Sequence, residues 1–223
     1  MQKQHIAIGA IITLVCSSLM ISGCTQENTP IDQNNKPSAE TLDQLLGKAQ
    51  IIESIYYEMN ISEYLSGEPI FYSDVKIWQE IPYVKENVSQ THAGIIVPEV
   101  SYIKRPNGTY QYDTEQKRYS SDYDPKVVLP YRTISEIADD LLNNQILTIL
   151  GTETVDGKTT TVLQYSSDES GNTTTTKMWI WNDYGVPIKA TETRIRNEMT
   201  LTWEYSYHSY TFTDIPDSTF DIS

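Results

Sequence analysis

The sequence predicts an α+β domain: an incomplete, unclosed antiparallel β-barrel of about ten strands, with two helices packed on its concave face. Three observations lead there. From about residue 55 the chain alternates apolar and polar residues in segment after segment, with 16 tyrosines, 4 tryptophans and many threonines, the types that suit a pleated, half-buried surface. Turn signals separate these segments at hairpin spacing, and only one helical pattern interrupts them, which excludes the strand-helix alternation of a parallel sheet. The two helical segments each carry an apolar stripe that must be buried, and a strongly curved sheet offers the place.

The first helix begins at a capping box, Thr41 with Gln44, and Leu42, Leu45, Leu46, Ala49, Ile52 and Tyr56 fall on one stripe of 3.6-residue period. Strands follow at 55–64, 70–79, 82–90, 93–105 and 109–120, with turn signals at Pro106-Asn107-Gly108 and Asp113-Thr114-Glu115. A second capping box, Thr133 with Glu136, opens the second helix. Its stripe is Ile134, Ile137, Ala138, Leu141 and Leu142, and Asn143-Asn144 stops it. The remaining strands are expected at 145–155, 158–166, 173–182, 186–196 and 199–213, joined at Asp156-Gly157, 166–172, 182–185 and Arg196-Asn197.

Ahead of this domain the chain carries an address. Residues 6–20 are apolar, Lys3 precedes them, and Ile21-Ser22-Gly23-Cys24 reads as a lipobox, in which small residues before the cut admit the processing enzyme and the thiol takes the diacylglycerol. The expected layout is a lipoprotein signal peptide at 1–23, a lipidated Cys24 with a flexible spacer to residue 40, and a domain at 41–223. The alternative is an uncleaved anchor, and the apolar run falls just short of the roughly 20 residues that span a bilayer. Either way the domain is expected outside the cytoplasm on a membrane tether, and a diacylated cysteine supplies the two chains that stable anchoring needs. Residues 25–40 are rich in Asn, Gln and Pro without periodicity, as a spacer is.

Composition excludes several functions. Cys16 leaves with the signal, so Cys24 is the only cysteine of the mature chain, and lipidation leaves no thiol for a disulfide, a nucleophile or a zinc site. Only His92 and His208 remain of the three histidines, too few for a histidine-rich metal centre. Loss of Lys3 leaves 15 basic against 30 acidic residues, a net charge of -15 that repels nucleic acid. The acidity is spread along the chain and reads as a soluble exposed surface.

The ordered series of segments resembles the outer-membrane lipoprotein carrier family, the LolA-like superfamily, and especially its archaeal and Gram-positive surface-lipoprotein branch. The resemblance runs from Leu42 to Ile222. It is carried by the leading helix, by Asp74-Val75-Lys76-Ile77-Trp78 through Lys85, and by Asn107-Gly108-Thr109-Tyr110-Gln111-Tyr112-Asp113. It continues through the mid-chain helix, Gly151-Thr152-Glu153-Thr154-Val155-Asp156-Gly157-Lys158, Trp179-Ile180-Trp181-Asn182-Asp183-Tyr184-Gly185-Val186-Pro187 and Ile215-Pro216-Asp217-Ser218-Thr219-Phe220. It implies an unclosed barrel whose hydrophobic cavity, lidded by helices, accepts an acyl chain, a lipid or a lipid-bearing partner. Carriers of that family hold the lid with an arginine near the second or third strand. Here the matching stretch 79–85 offers only Lys85, which lacks the bidentate fork. A tethered chain also cannot shuttle between membranes, so a retained binder, acceptor or sensor is expected.

Candidate ligand-binding residues are the aromatics Trp78, Trp179, Trp181, Trp203, Tyr205 and Tyr56. Alternation puts Trp179 with Trp181 on one face and Trp203, Tyr205 and Tyr207 on one face. The same residue types would fill an ordinary core, or dress a filled domain that acts as an interaction or sensing module, and sequence does not count voids. Asp122-Tyr123-Asp124 with Ser120 and Ser121 lacks the glycine and distant glutamate of a calcium loop and reads as a solvated loop. Asp139-Asp140 point to different helix faces, and neither histidine sits in a triad motif, so no metal, no cofactor and no enzymatic activity is expected. Asn60, Asn87, Asn107 and Asn172 head N-glycosylation sequons.

Overall fold

Alternating burial along the strands builds one antiparallel sheet in the computed structural model, which describes residues 40–121, 131–144, 146–169, 172–196 and 198–222. The lipobox with Cys24, the spacer and Asp122-Tyr123-Asp124 lie outside the described residues. The elements run α1 (Leu42–Gln50), β1 (Ser54–Leu65), β2 (Glu68–Glu80), β3 (Tyr83–His92), β4 (Ile95–Arg105), β5 (Gly108–Asp113), β6 (Arg118–Ser120) and α2 (Ile134–Leu142). After them come β7 (Thr148–Val155), β8 (Lys158–Glu169), β9 (Asn172–Trp181), β10 (Val186–Arg196), β11 (Met199–Thr211) and a single 3-10 turn at Asp217–Phe220.

The sheet order is β6-β5-β4-β3-β2-β1-β11-β10-β9-β8-β7. Two meanders therefore meet where β1 pairs with β11, and β6 and β7 form the two free edges. The sheet is unclosed, and the link that carries α2 joins one edge to the other. Eleven strands replace the expected ten because the segment 109–120 is a hairpin. The Asp113 carboxylate accepts the backbone N–H groups of Glu115 at 2.8 Å and Gln116 at 2.9 Å, which folds the chain back between β5 and β6.

Both capping boxes form as the sequence predicts, with the threonine side chain accepting the N3 amide and the N3 side chain accepting the N-cap amide. The first helical stripe is shorter than expected. α1 is capped at Ile51, and Tyr56 lies on β1, where its side chain faces the surface opposite the helices.

The inner face of the sheet lies under the helices. Its core joins Leu45, Leu46 and Ala49 of α1 and Ile134, Ala138 and Leu141 of α2 to Ile55, Tyr57, Met59 and Ile61 of β1, Val75 and Ile77 of β2, and Met178, Ile180 and Tyr207 across the other wing. The outer face carries two smaller clusters. One is Ile103, Ile215 and Phe220, where the C-terminal turn covers Trp78 and Tyr83; the other is Val162, Trp179 and Ile188. The first is tied by Arg105, whose Nε donates to the Phe220 carbonyl at 3.0 Å.

Candidate functional site

The packing of α2 leaves space beneath it. A cavity of about 540 Å³ is bounded above by Ile137, Asp140 and Leu141 of α2, by Arg132 before it and by Asn143 and Asn144 after it. Its floor is Met59, Met178, Ala190, Tyr205 and Tyr207 on the inner face. A second cavity of about 760 Å³ adjoins it along Tyr165, Thr176 and Glu192 and runs toward the β10–β11 hairpin past Thr174, Leu201, Arg194, Arg196, Met199 and Leu65. The two share these lining residues and make one groove along the inner face, and each alone has the size of a ligand site.

Alternation explains the lining. Ala190, Glu192, Arg194 and Arg196 are every second residue of β10, and Tyr207, Tyr205, Trp203, Leu201 and Met199 are every second residue of β11, so β10 turns from apolar to charged along its length while the facing row of β11 stays apolar or aromatic. Arg132 forms an ion pair with Asp140 at the rim. Arg194 donates to Glu192 from Nε at 2.9 Å and lies 4.8 Å over the Trp203 ring.

Burial shapes the titration of the interior. It raises the Tyr205 hydroxyl to about 12, with the Glu192 charge adding to the shift, and holds Tyr57, Tyr207 and Tyr210 above the usual tyrosine range. Tyr57 donates to the Arg132 carbonyl at 3.3 Å, just before α2. Glu86, on β3 between Val84 and Val88, is buried, and the Tyr131 backbone N–H is the one donor near a carboxylate that has no well-aligned hydrogen bond among the described residues. Burial pushes its carboxyl up to about 8, with the Glu136 charge adding to the effect and the Tyr131 backbone amide and Lys104 opposing it.

No known protein family matches the chain, and no curated protein sequence does. Among solved structures, it is similar to LprF from Mycobacterium bovis at 12% identity and TM-score 0.45, over 78% of this chain and 96% of that one. It is similar to a chain of the Pseudomonas aeruginosa MucA/MucB complex at 13% identity and TM-score 0.48, over 82% of this chain and 61% of that one. A LolA superfamily protein from Nitrosomonas europaea has 13% identity and TM-score 0.40, over 81% of this chain and 97% of that one. At these scores the likeness carries nothing about ligand or activity.

The six aromatics singled out in the sequence do not converge. Tyr205 lines the groove and Trp203 stands next to it on the inner face. Tyr56 and Trp78 face outward together, with ring centroids 5.1 Å apart and Lys85 Nζ 5.6 Å from the Trp78 ring. Trp179 also faces outward, donating from Nε1 to Glu153 Oε2 at 2.7 Å beneath the Lys177 and Lys189 ammonium groups. Trp181 packs against both the main core and the outer Val162–Trp179–Ile188 cluster, with its ring centroid 4.5 Å from that of Tyr184 and Nε1 donating to Asp183 at 3.1 Å.

Lys85 is therefore on the face opposite the helices, and the inner-face positions on either side of it are Val84 and Glu86. Asp139 accepts a hydrogen bond from Gln50, which ties α2 to α1, while Asp140 pairs with Arg132. His208 meets Asn60 at 2.7 Å and His92 lies 4.6 Å from the Phe71 ring. Among the described residues, no group of three His, Cys, Asp or Glu side chains is placed to hold a metal, and no helix is long and apolar enough to cross a membrane. Of the sequons, Asn60 and Asn87 have their side chains hydrogen-bonded on the outer face, to Asp74 and Ser101 among others. Asn107 is exposed in the β4–β5 turn, and Asn172 opens β9.

Residue-by-residue reading missed Glu86, Met59, Met178 and the arginines of β10. A signal for Glu86 exists in the sequence: it falls in phase with Val84 and Val88, so alternation alone assigns a carboxylate to a buried row.

Proposed function

We propose that this chain is a membrane-anchored extracytoplasmic lipoprotein that binds a lipid, an acyl chain or another hydrophobic ligand in the inner groove. The observation that carries the reading is the unfilled space of about 540 Å³ between α2 and the sheet, floored by methionine, alanine and tyrosine side chains. Methionine suits such a floor because its unbranched, polarizable side chain adapts to irregular apolar guests. In this reading residues 1–23 are a signal peptide, Cys24 carries the lipid, residues 25–40 are the spacer, and the domain from residue 41 holds the ligand. Tyr205 belongs to the binding surface and Trp203 flanks it, while the outward aromatics stabilise the sheet. Asn107 is the sequon best placed for a glycan.

Displacement of the uncharged dye Nile red by monoacylglycerol tests the binding function. Dye fluorescence that rises with protein and is lost on adding the lipid is the expected result. A second reading, a surface interaction module without a small-molecule ligand, is favoured by Ile95 and Ile96 at the β3–β4 hairpin, which are 71% and 81% exposed. Absence of any displaceable dye signal would favour that module instead.

A further inference from the structure

The charges lining the groove do not cancel, and the remainder sits at one end. In the cavity under α2, Arg132 is paired with Asp140. In the adjoining cavity Arg194 is paired with Glu192, Nη2 to Oε1 at 2.8 Å, and its guanidinium is held over Trp203. Arg196, two residues on and on the same face of β10, lines the second cavity and has no ion pair among the described residues. In a chain of net charge -14, the uncompensated charge lining this groove is positive. Across the strand ladder Thr174 faces Arg194, and Asn172 lines the same cavity, both neutral hydrogen-bonding side chains.

We propose that the hairpin end of the groove is an anionic-headgroup site, so that the ligand is an amphiphile with its charged head at Arg196 and Arg194 and its tail toward Tyr205 and Met178. The proposal rests on the groove being a ligand site and adds the chemistry and orientation of what occupies it. Length fits: six residues of β10 separate Ala190 from Arg196, about 20 Å at the usual strand rise, so a long-chain tail lies along the groove with its end beneath α2. Arginine suits the head because its planar fork pairs with carboxylate or phosphate oxygens in two directions at once. Arg194 is oriented by Glu192 and Trp203, which lowers the entropy lost when it engages a head.

Calorimetric titration of the full chain with decyl phosphate and with decanol, the same tail with and without charge, tests this. Decyl phosphate is expected to bind about tenfold tighter or more, and R196Q, which leaves Arg194 in place, to shrink that preference several-fold, with decyl phosphate losing more affinity than decanol. Without any variant, rising salt should erode the preference of the wild-type chain and spare decanol binding. Equal affinity for the two probes would overturn the headgroup site and leave the hydrophobic groove standing. Failure of both to bind would overturn the groove itself. Inorganic phosphate that binds alone and is lost in R196Q would overturn the amphiphile and assign a free-anion site.

Discussion

Gly185, in the turn between β9 and β10, lies directly beneath the backbone of Leu45 in α1: a Cβ at Gly185 would stand 2.2 Å from the Leu45 carbonyl oxygen. Its φ of +71° is also one that side chains other than glycine's disfavour. The neighbouring contact holds the same two elements together, since Lys48 donates to the Asn182 carbonyl. G185A should therefore push α1 off its seat and destabilise the domain by about 1–3 kcal/mol. Gly47, inside α1 with open space around its Cα, is the opposite case. G47A should stabilise by about 0.5–1 kcal/mol through helix propensity. Thermal melts of both variants check the pair, and a neutral G185A would show that the close approach is not a constraint.

Glu86 makes stability depend on pH in a defined window. Its folded carboxyl titrates near 8 against an ordinary 4.5, so between those values the folded chain keeps a proton that the unfolded chain has released. The folded state binds more protons, so its stability falls as pH rises through the window and levels off above about 8. The whole effect is roughly 3–5 kcal/mol. E86Q removes the titrating group and keeps the shape. Urea unfolding of both proteins should show E86Q gaining on the wild type steadily from pH 5 to pH 8.5; a gap that stays constant across that range would contradict a buried, unpaired carboxylate.

The reason these features were unequally legible is physical. Capping boxes, stripes and alternation are local and periodic, so Thr41, Thr133 and the strand rows could be read directly. The break at Asp113 was visible as a turn signal, yet a six-residue strand followed by a three-residue one resembles one long strand until the side-chain bonds to Glu115 and Gln116 are seen. The groove was harder. It depends on which wing each strand joins, and the aromatics alone do not say which face of the sheet the helices cover. Alternation placed Trp179 with Trp181 and Trp203 with Tyr205, but the pairing of Ala190 with Tyr205 and of Lys189 with Trp179 puts the two rows on opposite faces, which alternation within single strands does not reveal.

The two faces can be told apart by substitution. A190F puts a large ring into the floor of the cavity under α2, where Ala190 is buried. It should lower Nile red affinity about tenfold or more, at a stability cost of about 1–3 kcal/mol from overpacking. W78F, on the outer face beside Tyr56 and Lys85, should leave dye affinity unchanged. Fluorescence titration of the two variants checks this, and loss of binding in W78F with retention in A190F would move the ligand to the other side of the sheet.

The proposed lipidation of Cys24 would fix the groove to one membrane. If that cysteine carries a diacylglycerol, the mature chain begins there, and the spacer of residues 25–40 sets how far the domain stands from the bilayer. Two acyl chains are enough to hold a protein stably at a membrane, whereas one would exchange. C24S should remove the thiol that accepts the diacylglycerol, so that no thioether forms, and leave the signal uncleaved. Two measurements follow the change: the detergent-phase partition in a cloud-point separation, and the intact mass. The wild-type chain is expected in the detergent phase with a mass that begins at Cys24 and includes the lipid. C24S should lack the lipid mass and retain residues 1–23. A wild-type mass that begins at Met1 without added lipid would replace the lipid anchor with an uncleaved hydrophobic one, and the domain would then be tethered by its own apolar segment.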